Sequence, residues 1–196
     1  MHRKEKLFLS LLLVGALGSM ATFGVLGAFT STTSNPNNSF AAGTVTIGDN
    51  DANSSLYTVS AAKPGDTVNR CIRVTYTGSL GSDVRIYTPS TIGALGQYVD
   101  LTIQPGTMPV GTSFPNCTGF TADSGGALFT GTLQSFGSTR NTYANGVADY
   151  PGAGTVWATN DDVVYQVTAQ LQASAPDTAQ GATTGNHTIT WEARNQ

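Results

Sequence analysis

Three groups of residues in this chain carry side chains that could do chemistry: a histidine, a run of acidic and amide residues, and a pair of cysteines. His187 is the only histidine other than His2. A zinc hydrolase needs several closely spaced ligands, and a serine hydrolase needs a histidine beside a nucleophile on a sharp turn. His187 has neither an HExxH partner nor a GxSxG motif to act with. We therefore expect no enzyme, no metal and no cofactor, and a half-buried structural role for His187 at the start of a strand.

The acidic run has the spacing of a partial calcium loop. Asp49, Asp51 and Asn53 stand at alternate positions, as the first three ligands of such a loop do. Ser54 stands where the loop needs glycine for its sharp turn, and Ser60 stands where it needs a bidentate glutamate. Two interpretations remain, a weak calcium site and a polar hairpin loop, and the two mismatches favour the hairpin loop.

Cys71 and Cys117 are the only two cysteines. In an exported protein a lone pair of cysteines is typical of a disulfide, and no further ligands suggest a metal site. The loop that the pair would close is long enough to stabilise the fold by about 4 kcal/mol in the chain-entropy treatment. The alternative is two buried free thiols.

The beginning of the chain has the pattern of an export signal. Three cations precede residue 7, and residues 7–29 contain no charge. The small residues in the second half of this stretch favour cleavage, which we place between Ala28 and Phe29. The alternative is a retained membrane helix, because about 20 apolar residues span a bilayer. Without residues 1–28, the mature chain is acidic.

Composition limits the fold and the partners. Charged residues make up 11% of the chain, and 23 of its 196 residues are glycine. A coiled coil or a charge-rich helical bundle needs far more exposed Glu and Lys. Nine Lys and Arg against 12 Asp and Glu leave no basic surface for phosphate contacts, so we expect no nucleic-acid partner.

The mature chain alternates apolar and polar residues in short runs separated by Gly, Pro, Asn and Ser. This period of two is typical of half-buried antiparallel strands. In residues 162–172 the pattern places Tyr165 and Val167 on one face, and Val164 alone breaks it. Eight strands are predicted, at residues 43–47, 55–60, 67–78, 83–87, 98–103, 155–159, 162–172 and 187–193. No helix longer than a turn or two is expected after residue 29.

Eight short strands predict an all-β, two-sheet antiparallel sandwich of jelly-roll or immunoglobulin-like type. Residues 105–151 are rich in Gly, Ser, Asn and Thr. This composition favours long loops that hold one or two short strands.

Three blocks of the sequence resemble the TasA/camelysin family of secreted bacterial proteins. In the first, an apolar signal is followed by a polar stretch and by the element Phe40, Ala41, Ala42, Gly43, Thr44, Val45, Thr46, Ile47. The second block, residues 63–87, is similar to the family's Pro-Gly-Asp turn, strand and Gly-Ser-Leu bend. The third, residues 163–196, is similar to its Gln-Gly turn and last strand. The cysteine pair is not part of the resemblance.

The resemblance implies a jelly-roll domain that polymerises into biofilm-matrix fibres by donor-strand complementation. We expect a signal peptide at 1–28, a donor arm at 29–42 and a sandwich at 43–196, with Val45 and Ile47 in the chain's own sheet. The strand-donating residues would be Phe29, Thr30, Ser31, Thr32, Thr33, Ser34, Asn35, Pro36, Asn37, Asn38, Ser39 and Phe40. The implied partners are a second copy of the chain, a signal peptidase and other matrix or anchoring proteins.

Two other interpretations stay open. Camelysin-like members are described as cell-surface metalloproteases, although this sequence lacks zinc-ligand spacing. A retained helix at residues 7–29 would instead make the chain a membrane-anchored surface protein.

Overall fold

A computed structural model describes residues 39–152 and 154–196. Contacts divide the chain into two compact units, Met1–Ala41 and Ala42–Gln196, and the described part is almost entirely the second unit. Two antiparallel sheets form an all-β sandwich there, as the sequence predicts. In chain order its strands are β1 Ile47–Asp49, β2 Thr67–Tyr76, β3 Ser82–Tyr87, β4 Val99–Thr107, β5 Thr121–Ala122, β6 Phe129–Thr132, β7 Val147–Asp149, β8 Asp162–Leu171 and β9 Thr190–Asn195.

The larger sheet is built around β8, which pairs with β2 on one side and with β4 on the other. Its strand order is β1-β2-β8-β4-β5, and β6 also pairs with β4. Ile72 lies opposite Tyr165 in the first pairing, and Ile103 lies opposite Val167 in the second. The smaller sheet has the order β7-β3-β9.

The core lies between the two sheets and follows the predicted alternation. On β8, Tyr165 and Val167 are fully buried, while Gln166 and Thr168 on the opposite face are half-buried. Val164 is also fully buried, although it lies on the outer face of the sheet. The break in the pattern therefore marks a place where a loop covers that outer face.

One helix, α1 (Leu133–Thr139), follows β6 directly. The Thr132 side chain caps it by accepting a hydrogen bond from the Ser135 backbone N–H at 3.1 Å. Leu133 and Phe136 are buried in the core. The helix stays within the two turns that the sequence allows, but residues 105–151 hold three short strands rather than one or two.

Two predicted strands and part of a third are wrong. Residues 55–60 have no regular secondary structure. Residues 155–159 contribute an isolated bridge between Trp157 and Ser82, and Trp157 is fixed instead by burial and by its Nε1–H, which donates to the Asp149 carbonyl at 2.7 Å. Ile47 lies in β1 as expected, but Val45 precedes the strand and is partly exposed.

Among the described residues, no helix is both long enough and apolar enough to span a membrane. The predicted signal at residues 1–28, including Ala28, lies outside them, as does the predicted arm from Phe29 to Asn38.

Candidate acceptor cleft

A cleft of about 1160 Å³ opens between the two sheets. Its floor is the apolar inner face of the larger sheet, where Val68 and Ile72 of β2 lie beside Ala169 and Leu171 of β8. The smaller sheet contributes Trp191 of β9. The cleft is therefore an extension of the core that the described residues leave open.

Strand β9 forms one side of this cleft. It pairs with β3, and no second neighbour is found among the described residues, so it is an edge of the smaller sheet. The Trp191 ring lies 5.5 Å from the Tyr165 ring, and its Nε1 atom is buried without a hydrogen-bond partner in the described part of the chain. A buried donor without a partner costs free energy, which an incoming acceptor would recover.

His187 and Tyr57 meet over the same cleft. The Tyr57 hydroxyl lies 2.7 Å from His187 Nε2, and the Gly185 carbonyl lies 3.1 Å from the other ring nitrogen. Burial raises the pKa of Tyr57 to about 12, so its hydroxyl stays protonated. The Gly185 carbonyl can only accept, so Nδ1 carries the ring hydrogen, and in that tautomer Nε2 accepts from the Tyr57 hydroxyl. His187 is half-buried, as the sequence predicts, but it lies three positions before the first residue of β9 and not at the start of a strand.

The charge along the cleft is acidic. Asp51, Asp66 and Asp177 line it, together with His187, and no Lys or Arg is among the lining residues. The Asp66 side chain accepts a hydrogen bond from the Lys63 backbone N–H at 2.8 Å, which fixes the turn before β2. These carboxylates give the cleft a negative potential.

The calcium candidate is organised as a backbone turn. Asp49 accepts from the Asp51 N–H at 3.0 Å, and Asp51 accepts from the Asn53 N–H at 2.6 Å. Burial, as the largest effect, raises the pKa of Asp49. These carboxylates serve local turns, and no group of three His, Cys, Asp or Glu suited to a metal occurs among the described residues. These hydrogen bonds form a polar turn, and the calcium interpretation stays a prediction.

Cys71 and Cys117 form a disulfide, with their Cα atoms 5.1 Å apart. Cys71 points to the outer face of the larger sheet, where it packs with Met108 and Val164. The Arg73 guanidinium donates to the Met108 carbonyl at 2.5 Å. The disulfide and this contact hold the loop after β4 over the sheet and explain why Val164 is buried.

A zinc site, as a metallopeptidase requires, is not supported by the donor set of the described residues. His187 is engaged by Tyr57 at one ring nitrogen and by Gly185 at the other. The nearby carboxylates of Asp51 and Asp66 accept local backbone hydrogen bonds. Zinc takes several converging His, Cys or carboxylate ligands, and the described residues offer no such group.

The sequence singled out His187 but not the cleft around it. Tyr57 lies 130 positions away along the chain, and Trp191 belongs to a strand whose open edge becomes evident only in the folded sheet. In the sequence, the site was indicated only by His187 and Trp191, which the alternating pattern places on the same face of the predicted last strand.

Comparison with known proteins supports the resemblance stated above. The family described as camelysin metallo-endopeptidase matches residues 4–97. None of the curated proteins matches the chain. The matched segment covers most of the predicted signal, β1, residues that line the cleft before β2, and the strands β2 and β3. The match covers just under half of the chain, and it makes residues 4–97 similar to the camelysin family, as the sequence blocks indicate.

Proposed function

We propose that the mature chain is a secreted structural subunit that polymerises into extracellular matrix fibres. The arm at residues 29–40 of one subunit enters the cleft of the next and adds a strand to β9. This is strand addition to a sheet edge, in which backbone hydrogen bonds give affinity and side chains fill the groove. The match to the camelysin family supports the class of protein, and the cleft supports the mode of assembly.

The observation that carries this proposal is a cleft with an apolar floor beside an edge strand. An edge strand presents unpaired N–H and C=O groups and is a template for another chain. The Trp191 Nε1–H next to it also lacks a partner among the described residues. A strand laid beside β9 would pair with that edge and lie over the apolar floor of the cleft.

The arm has the composition of a strand that can be donated. Thr30, Thr32 and Thr33 favour extended backbone. Pro36 lacks an N–H and confines the paired part to residues 29–35. The contact joins the arm of one copy to the cleft of the next, so it is head to tail and does not close. Such a contact generates filaments, and an uncleaved signal would block the arm until it is removed.

Electron microscopy of three forms of the chain tests the proposal. The chain starting at Phe29 should form fibres, and the same chain with an N-terminal extension should stay monomeric. A chain that lacks residues 29–40 should also stay monomeric, with an unchanged melting temperature because the sandwich is intact. Fibres from the truncated chain at the normal rate would refute strand donation.

The description of the matched family favours a second candidate function, metallo-endopeptidase activity. The donor set of the described residues gives it no zinc site. Hydrolysis of an unfolded protein substrate, with and without a chelator, tests it directly. Chelator-sensitive hydrolysis that disappears in a folded His187→Ala variant would establish the enzyme, and absence of hydrolysis would remove it.

A membrane-anchored surface protein is tested by the fate of residues 7–29. Recovery in the membrane fraction with an intact N-terminus would establish the anchor. A soluble product whose N-terminal residue is Phe29 would establish cleavage.

A further inference from the structure

One segment, which lies between β1 and β2 in the chain, crosses the cleft. It has the alternating residue pattern of a strand but pairs with no strand among the described residues. This strap, residues 55–62, makes no backbone–backbone hydrogen bond to any described residue. Most of its side chains are exposed, including Val59 at 52%. Its backbone groups are therefore available to solvent, as those of an edge strand are.

The strap is held at one point. Leu56 and Tyr57 are half-buried and pack against the core, and the Tyr57 hydroxyl donates to His187 Nε2 at 2.7 Å. His187 stands just before β9, so this hydrogen bond ties the strap to the strand that forms the other side of the cleft. The rest of the strap is joined to the fold at its ends, through the turn at Asp51 and the turn at Asp66.

We propose that the strap is a second pairing edge for the donated arm, so that the arm is bound between β9 and residues 55–62. This inference rests on the proposed function and adds the partner surface to it. A strand that lies between two edges makes backbone hydrogen bonds along both of its sides, as a central strand of a sheet does. The strap changes from a water-exposed segment to a paired strand when the arm enters.

The occupant is residues 29–35 of a second copy. After cleavage at Ala28 the only charge in residues 29–48 is the α-ammonium group of Phe29, because the first carboxylate of the mature chain is Asp49. The cleft is lined by Asp51, Asp66 and Asp177 and by no Lys or Arg. A strand with a positive end and without carboxylates complements this surface.

Hydrogen exchange of free subunits and of fibres, both from the chain starting at Phe29, tests the proposal. We expect amides of residues 55–62 to exchange rapidly in the free subunit, and amides of both the strap and β9 to become protected in fibres. Protection confined to β9 would overturn the role of the strap and leave the proposed function standing. Absence of fibres would refute both.

Two proline variants sharpen the test. Adjacent N–H groups of a strand point to opposite sides, so either Val59→Pro or Ser60→Pro removes a donor that faces the arm. We expect one of the two to weaken arm binding by about three- to tenfold, the effect of losing one hydrogen bond. Val59→Ala and Ser60→Ala keep the N–H and serve as matched controls.

Each variant is measured as a folded subunit that lacks residues 29–40 and binds a synthetic peptide of residues 29–40. An unchanged melting temperature establishes that the subunit is intact. Equal affinity of both proline variants and their alanine controls would overturn the proposal. Peptide that binds no form of the subunit would refute the proposed function itself.

Discussion

Breaking the disulfide between Cys71 and Cys117 should cost the sandwich a large share of its stability. The two residues are 46 positions apart, and closing a loop of this length removes enough entropy from the unfolded chain to contribute about 4 kcal/mol. For a domain of this size, each kcal/mol corresponds to roughly 2–4 °C in melting temperature. We therefore expect the melting temperature to fall by roughly 8–16 °C on reduction.

The loss should begin at the outer face of the larger sheet. Cys71, Met108 and Val164 form a cluster there that is separate from the main core. After reduction, hydrogen bonds such as the one from Arg73 to the Met108 carbonyl hold this loop without the covalent link, so the loop should loosen before the sheets separate. Hydrogen exchange should accelerate in residues 108–120 while the amides of β2 and β8 remain protected.

Urea unfolding of the mature chain, with and without reductant, measures this effect. The double variant Cys71→Ala/Cys117→Ala is the matched control and should show the lower stability under both conditions. A reductant effect below about 1 kcal/mol would refute the loop-entropy argument. A reductant effect in the double variant would show that the change comes from another source.

Three further substitutions test the fold. Burial raises the pKa of Asp149 in the folded chain. The native state therefore keeps a proton that the unfolded chain releases. The stability of the fold should fall as the pH rises from about 4, the ordinary pKa of Asp, through the raised pKa of Asp149. Asp149→Asn should stabilise the fold at pH 7 and flatten this pH dependence in urea unfolding at several pH values. Thr132→Ala removes the cap on Ser135 and should cost about 1 kcal/mol in the same assay. Arg73→Lys loses the planar fork that reaches Met108 and should speed hydrogen exchange in residues 108–120 without altering the core.

The strands that pair in the middle of the sheet could be predicted from the sequence. On β2 and β8 one face is buried in the core, so a period of two appears directly in the residues. The same pattern singled out Val164, and the structure supplies the cause, a loop held down by the disulfide. This burial alternates from one residue to the next along the strand, so it is visible in the sequence.

The edges could not be predicted in the same way. Residues 55–60 satisfy the alternation of a strand, yet pairing depends on a neighbour that the sequence does not identify. Trp157 is buried through a bridge to Ser82 and not through a full strand. The cleft was missed for the same reason, since it arises where β9, the strap and β2 meet in space.

The sandwich has two apolar surfaces beside its main core, and the chain covers them in different ways. On the outer face of the larger sheet, its own loop covers Val164 and is locked there by the Cys71–Cys117 disulfide. Between the sheets, the described residues leave a cleft that Leu171 and Trp191 help to line, and the strap crosses it with one hydrogen-bonded tie. A covalently fixed loop over one surface and a cleft with an unpaired strap at the other suit a subunit that folds alone and later accepts a strand. Polymerisation should therefore change the exchange of the strap and β9 and leave the disulfide-anchored loop unaltered.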